Sequence, residues 1–183
     1  MSNKPHFGGR SLARSQALQL LFQAEATDRA VDDVLAADPC LEEGPLDPYA
    51  SELARGVEGC LPELDAVISA RADSWSLDRM PAVARNLLRI ALYEMLKHAE
   101  VAVAVAIDEC VELEKAYGTD ESPRFANGLL GRVARELEAG QDPVELAREE
   151  LRQRKLHVPG EVEAARAADE PVAGEHADEA EGE

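Results

Sequence analysis

KPHFGGRSLARSQALQLLFQ (4–23) places Arg10 and Arg14 four residues apart, so two guanidinium groups project from one side near the start of a helix. Residues 1–24 hold Lys4, Arg10 and Arg14 and no Asp or Glu, in a chain whose formal charge is −18. Arginine forks and the free amides of a helix N-terminus both attract phosphate, and Gly8-Gly9 lets backbone approach a ligand closely. The alternative is a solvated terminus with no partner. A second stretch, SPRFANGLLGRVARE (122–136), puts Arg124 and Phe125 in the first turn of a helix. Arginine there offers bidentate contacts to phosphate or base edges. The phenylalanine offers either a face on which an unpaired base stacks or an anchor in the core. Gly128 is locally unfavourable inside a helix and implies the close approach of another helix or of a ligand.

Catalytic patterns are not found. The chain has no G-x-S-x-G, no G-x-x-x-x-G-K-[ST] and no G-x-G-x-x-G. The histidines at 6, 98, 157 and 176 share no metal-ligand spacing, so neither metal nor cofactor is expected. Asp108 and Glu109 are adjacent and point to different sides of a helix, which suits solvation or capping better than an acid/base pair. Cys40, Cys60 and Cys110 are odd in number and widely spaced, the pattern of a reducing compartment, and Cys110 falls on an apolar helix face.

The elements that position these residues read as helices throughout. Leu12, Leu18, Leu21 and Phe22 recur at helical spacing over 11–25, and Thr27 or Asp28 can cap a short helix ending near Ala37. DPCLEEGPLDP (38–48) reads as a loop, and Asp47-Pro48 opens a helix towards Gly59. Another helix spans about 62–72. From Pro81 to about His98, apolar residues cover more than half the helical circumference, which predicts a central helix buried on several sides. VAVAVAI (101–107) alternates like a strand, but the spacing of Val103, Ile107, Cys110 and Val111 continues a helix to 117, which Gly118 can end in a left-handed conformation. Ser122-Pro123 caps and starts the next helix, which stops at Gly140; DPVE (142–145) opens a last one reaching about Leu156.

Scarce aromatics and abundant Ala and Leu favour helix-on-helix packing. Charge is uneven: residues 31–65 sum to −9 and 161–183 to −8, whereas 1–30 sum to +2 and 66–160 to −3. A low overall pI therefore does not exclude a polyanion partner. No apolar run is long enough to span a bilayer, and no signal peptide is visible, so a cytoplasmic protein without membrane contact is expected. The expected organisation is a flexible arm over 1–9, a helical domain over 10–139, an extra helix over 140–158 and a disordered acidic tail over 159–183.

Three segments, in order, resemble the NusB family. RSLARSQALQLLFQAE (10–25) is similar to its opening helix, R-x-x-A-R-x-x-A-L-Q-x-L-[YF]; LLRIALYEML (87–96) is similar to its central helix. VAIDECVELEKAYGTDESPRFANGLLGRV (105–133) resembles V-A-I-[ND]-E, then L-A-K-x-[FY]-G, then [KR]-F-[VA]-N-G-[VL]-L. The resemblance implies an all-α compact bundle of two helical subdomains and no enzymatic activity. It implies a transcription antitermination factor that pairs with the ribosomal protein NusE. Together they grip single-stranded boxA RNA of nascent ribosomal transcripts and join other Nus factors on RNA polymerase. Carried over by position, RNA contacts fall on Arg10, Arg14, Arg89, Glu121, Arg124 and Phe125. Ser11 and Leu12 interrupt the basic run that many members carry, and Ala84 stands where some carry an acid facing NusE. Two other readings remain: a protein-binding scaffold without strong RNA affinity, and an accessory domain of the kind found in some ribosomal-RNA methyltransferases.

Overall fold

The computed structural model describes residues 7–72 and 75–156. Among these are eight α-helices and no strand: α1 (Gly9–Thr27), α2 (Val31–Ala36), α3 (Pro48–Gly59), α4 (Leu61–Arg71), α5 (Ala82–Lys97), α6 (Val103–Tyr117), α7 (Ser122–Glu138) and α8 (Pro143–Leu156). A single 3-10 turn, Leu77–Arg79, precedes α5. The described residues up to Leu151 form one compact unit. Within it, α1–α4 and α5–α7 make two helical groups joined through α5, which packs on α1, α3 and α4 and also on α6 and α7. The acidic tail expected over 159–183, and most of the arm over 1–9, lie outside the described residues. No helix among those described is long and apolar enough to cross a membrane.

α5 is central because its apolar residues surround it: Leu87, Leu88, Ile90, Ala91 and Leu92 are all buried. The VAVAVAI segment is helical from Val103, its alternation overridden by Ala106, Cys110 and Leu113, which bury one face at helical spacing. α1 buries a face of small residues, Ala13, Ala17 and Ala24 with Leu20 and Leu21, which lets neighbouring helices approach closely. Phe22, expected on that face, is turned about 100° past Leu21 and is 45% exposed.

Local capping follows the sequence in some places and not in others. Asp47 accepts from the Tyr49 N–H at 2.8 Å, and Asp142 accepts from Val144 at the same distance, so both Asp-Pro starts form. Thr27 and Asp28 do not cap α2. Asp28 adopts φ 51° and closes α1, while the Val31 N–H is satisfied by Glu58 of α3 at 2.8 Å. Gly140 stops α7 at φ 70°, but Gly118 is extended rather than left-handed, at φ −86° and ψ −165°. A Cβ at 118 would collide with the Glu114 carboxylate and lie 2.7 Å from the Glu114 carbonyl, so space, not backbone angle, requires glycine there. Ser122 lies inside α7, and its hydroxyl accepts from the Thr119 N–H at 3.2 Å.

Three glutamines on α1 stitch down the Pro-rich loop between α2 and α3. Gln16, fully buried, donates to the Glu43 and Pro45 carbonyls at 2.8 and 3.0 Å and accepts from the Asp47 N–H at 2.8 Å. Gln19 accepts from the Glu42 N–H, and Gln23 pairs with both backbone groups of Cys40. The loop thus satisfies its backbone without secondary structure.

Candidate nucleic-acid interface

The six residues expected at the site divide between surface and interior, and those on the surface lie at the starts of α1 and α7. At the entrance of α1, Arg10 is exposed, its guanidinium 4.6 Å from the centre of the Tyr49 ring. Gly8 precedes it, no acid lies in the first turn, and no side chain caps the helix. Gly8 and Gly9 are exposed, and a Cβ added at either would meet nothing within 4 Å.

Arg14 is not beside it. Its side chain is 3% exposed and is held by Glu94, with Nε 2.9–3.0 Å from both carboxylate oxygens and Nη2 2.9 Å from one. Glu109 stands 3.3 Å away and also accepts from the Ser11 hydroxyl at 2.9 Å. The Tyr49 hydroxyl donates to Glu94 at 2.6 Å. Burial pulls the Arg14 pKa down, but the Glu94 contacts outweigh it and hold the guanidinium above its ordinary range. Burial and the bond to Glu94 push the Tyr49 phenol upward. Arg14, expected as a phosphate ligand, is here a buried, paired side chain that fixes α1 to α5 and α6 and, through Glu94 and Tyr49, steadies the ring under Arg10. The spacing carried the signal, since Arg14 precedes Leu18 by four residues and Leu21 by seven and so shares the inward stripe.

Arg89 is paired in the same way. It is buried, forks onto Asp65 of α4 at 2.7 and 2.8 Å, and donates to Asn86 at 2.9 Å. It lines a cleft of about 650 Å³ between α1, α4 and α5, where Glu25 meets Arg85 and Asn86. These charges are spent on one another.

The second surface place is the start of α7. Glu121 and Arg124 are exposed, and Phe125 is half-buried in an open groove of about 680 Å³. Trp75 stands edge-on to the Phe125 ring, 5.2 Å between centroids at 76°. Phe125 is thus both core-packed and open on one side. Gly128 is exposed and has no atom within 4 Å of an added Cβ, so no neighbouring helix accounts for it. Asn127 is exposed as well. Sequence reasoning missed Trp75, Tyr49 and Glu94. Glu94 had a legible signal: it lies seven residues after Leu87, within the apolar arc of α5, where a carboxylate needs a cation.

α6 bonds α1 through Glu109 and Tyr117 and leads along the chain into α7. Tyr117 at its end bonds the Ser15 hydroxyl at 2.8 Å and lies 6.0 Å from the Phe7 ring, and the chain enters α7 five residues later.

The class is an all-helical, two-group bundle that carries exposed arginines and a half-open aromatic among its described residues. The family profile of NusB matches residues 11–135, about two-thirds of the chain. The transcription antitermination proteins NusB of Salinispora arenicola and Salinispora tropica are each 48% identical over 128 residues, covering 68% of this chain and 94% of theirs. The solved structure of T. maritima NusB aligns with a TM-score of 0.61 at 35% identity, over 72% of this chain and 94% of that one. A solved complex of the antitermination factors NusB and NusE with dsRNA aligns at 0.56 and 23% identity, over 68% and 94%, and bears on the fold alone. The chain belongs to the NusB family.

Proposed function

We propose that this protein is a cytoplasmic, non-enzymatic transcription antitermination factor. With NusE it binds single-stranded boxA RNA of nascent ribosomal transcripts and helps assemble the Nus factors on RNA polymerase. The observation that carries the RNA part is the half-open Phe125 ring beside Arg124, which has no carboxylate partner among the described residues. Arg10 and the uncapped start of α1 supply phosphate contacts, Arg124 another, Phe125 stacks an unpaired base, and Glu121 accepts from a base amino group. Arg14 and Arg89 serve by holding the helices that carry these residues. Few cations remain for phosphate, so affinity without NusE is low and log affinity falls with log salt at about −0.7 per contact.

Titrating labelled boxA RNA with the protein, alone and with NusE, tests this directly. Phe125→Ala is expected to weaken the ternary complex by about 1–3 kcal/mol of stacking while far-ultraviolet dichroism stays helical. A salt-independent affinity, or an unchanged one in Phe125→Ala, rejects the assignment. The inward turn of Arg14 and Arg89 favours one second reading, a protein-binding scaffold that contributes little to RNA affinity; NusE binding with no RNA-dependent gain would select it.

A further inference from the structure

The groove that begins at Phe125 does not end there. Arg124, Gly128, Gly131 and Arg135 fall at i, i+4, i+7 and i+11 on α7 and so share one face, spanning about 16 Å at 1.5 Å per residue. All but Gly131 line the same groove of about 680 Å³. Arg124 and Arg135 are exposed, and neither has a carboxylate within 4 Å among the described residues. The other two arginines of the groove are engaged: Arg71 by Glu136 and the Pro143 carbonyl, Arg132 by Glu150 at 3.0 Å. Between the two unpaired cations the helix is bare. A Cβ at Gly128 would touch nothing, and one at Gly131 would meet only the Arg135 guanidinium, at 3.7 Å. Arg135 therefore folds back over Gly131 towards Arg124, as helical side chains lean towards the N-terminus. Glycine weakens a helix interior, and packing against another element gives no reason for it at 128.

We propose that this face of α7, from Arg124 to Arg135, is a track for a few nucleotides of single-stranded RNA beyond the base that meets Phe125. The proposal rests on the reading that Phe125 and Arg124 bind RNA, and it extends that site. The two arginines sit at the ends of the track as phosphate contacts, and the bare backbone at Gly128 lets the strand lie close to the helix. Asp120 and Glu121 at the head of the groove can accept hydrogen bonds from base amino groups, donors that the side chains of an acidic peptide do not offer. The Trp75–Phe125 pair adds a stacking surface that such a peptide would not use.

The full chain with NusE is titrated with boxA RNA and with the same RNA lengthened by a few uridines at its 5′ or its 3′ end. One of the two extensions is expected to tighten binding about 5-fold and to steepen the salt dependence by about 0.7, one added phosphate contact. Arg135→Ala and Gly128→Gln each erase that gain and leave the unextended RNA unaffected. Gly128→Gln also raises the thermal unfolding midpoint, because glutamine is the better helix former, so its loss of binding cannot come from unfolding. No gain from either extension, or a gain that survives both substitutions, overturns the track. If Phe125→Ala still weakens the unextended RNA in that case, the track alone has failed. If Phe125→Ala has no effect on any RNA, the underlying site has failed and the track falls with it.

Discussion

Replacing Glu114 by glutamine should stabilise the protein at neutral and alkaline pH and leave it nearly unchanged in acid. Glu114 is 1% exposed, and neither of its carboxylate oxygens has a hydrogen-bond partner among the described residues. Its side chain fills the space that a Cβ at Gly118 would need, at the turn leading into α7. Burial without a compensating cation pushes its pKa up from 4.5 to about 7. Because the folded state holds the proton more tightly than the unfolded chain, folding bears no penalty below pH 4.5. The penalty grows as pH rises through the interval and is complete above pH 7. At 1.36 kcal/mol per unit, the full cost is on the order of 3 kcal/mol. Glutamine matches the neutral acid in shape and never ionises. Urea unfolding of both proteins from pH 4 to pH 8 should therefore show a stability difference that widens by about 3 kcal/mol in favour of Glu114→Gln. In a thermal scan the same gap is worth roughly 10 °C. Comparing the two proteins removes the other titrating groups, including Cys110, whose thiol burial and Glu114 push well upward. A difference that stays constant across the whole range would refute the reasoning, since it would mean that Glu114 ionises as freely in the folded protein as in the unfolded one.

Other expectations follow from the buried polar contacts. Arg14→Ala strands the Glu94 carboxylate and should cost about 3–5 kcal/mol in chemical denaturation, whereas Arg10→Ala should change stability by less than about 0.5 kcal/mol. Equal costs would place both arginines in the same environment, against their observed burial. Gln16→Ala removes three hydrogen bonds from the loop before α3 and should cost about 2–3 kcal/mol, with faster amide exchange at Asp47. Gly118→Ala forces Glu114 and the end of α6 apart and should destabilise by about 1–3 kcal/mol, a loss that Glu114→Ala in the same chain partly restores.

The sequence by itself determined the helices, their order and most of their ends. Those signals are local: Asp47 caps from two residues away, Gly140 supplies its own positive φ, and the apolar arc of α5 is a periodicity within sixteen residues. It also held the resemblance from which the candidate site was read. Arg10, Glu121, Arg124 and Phe125 lie on accessible or half-open surface, but the inward roles of Arg14 and Arg89 required their partners to be known. Glu94 lies eighty residues beyond Arg14, and no rule of spacing brings them to 3 Å. The tertiary structure likewise decided that Glu114 has no hydrogen-bond partner among the described residues, that Gly118 makes room for a side chain instead of reversing the backbone, and that Gly128 faces open space. A helix is specified by bonds between neighbours in the chain, so its sequence states it. Whether a charge faces water or another charge depends on which helices meet, and that is settled when the whole core packs.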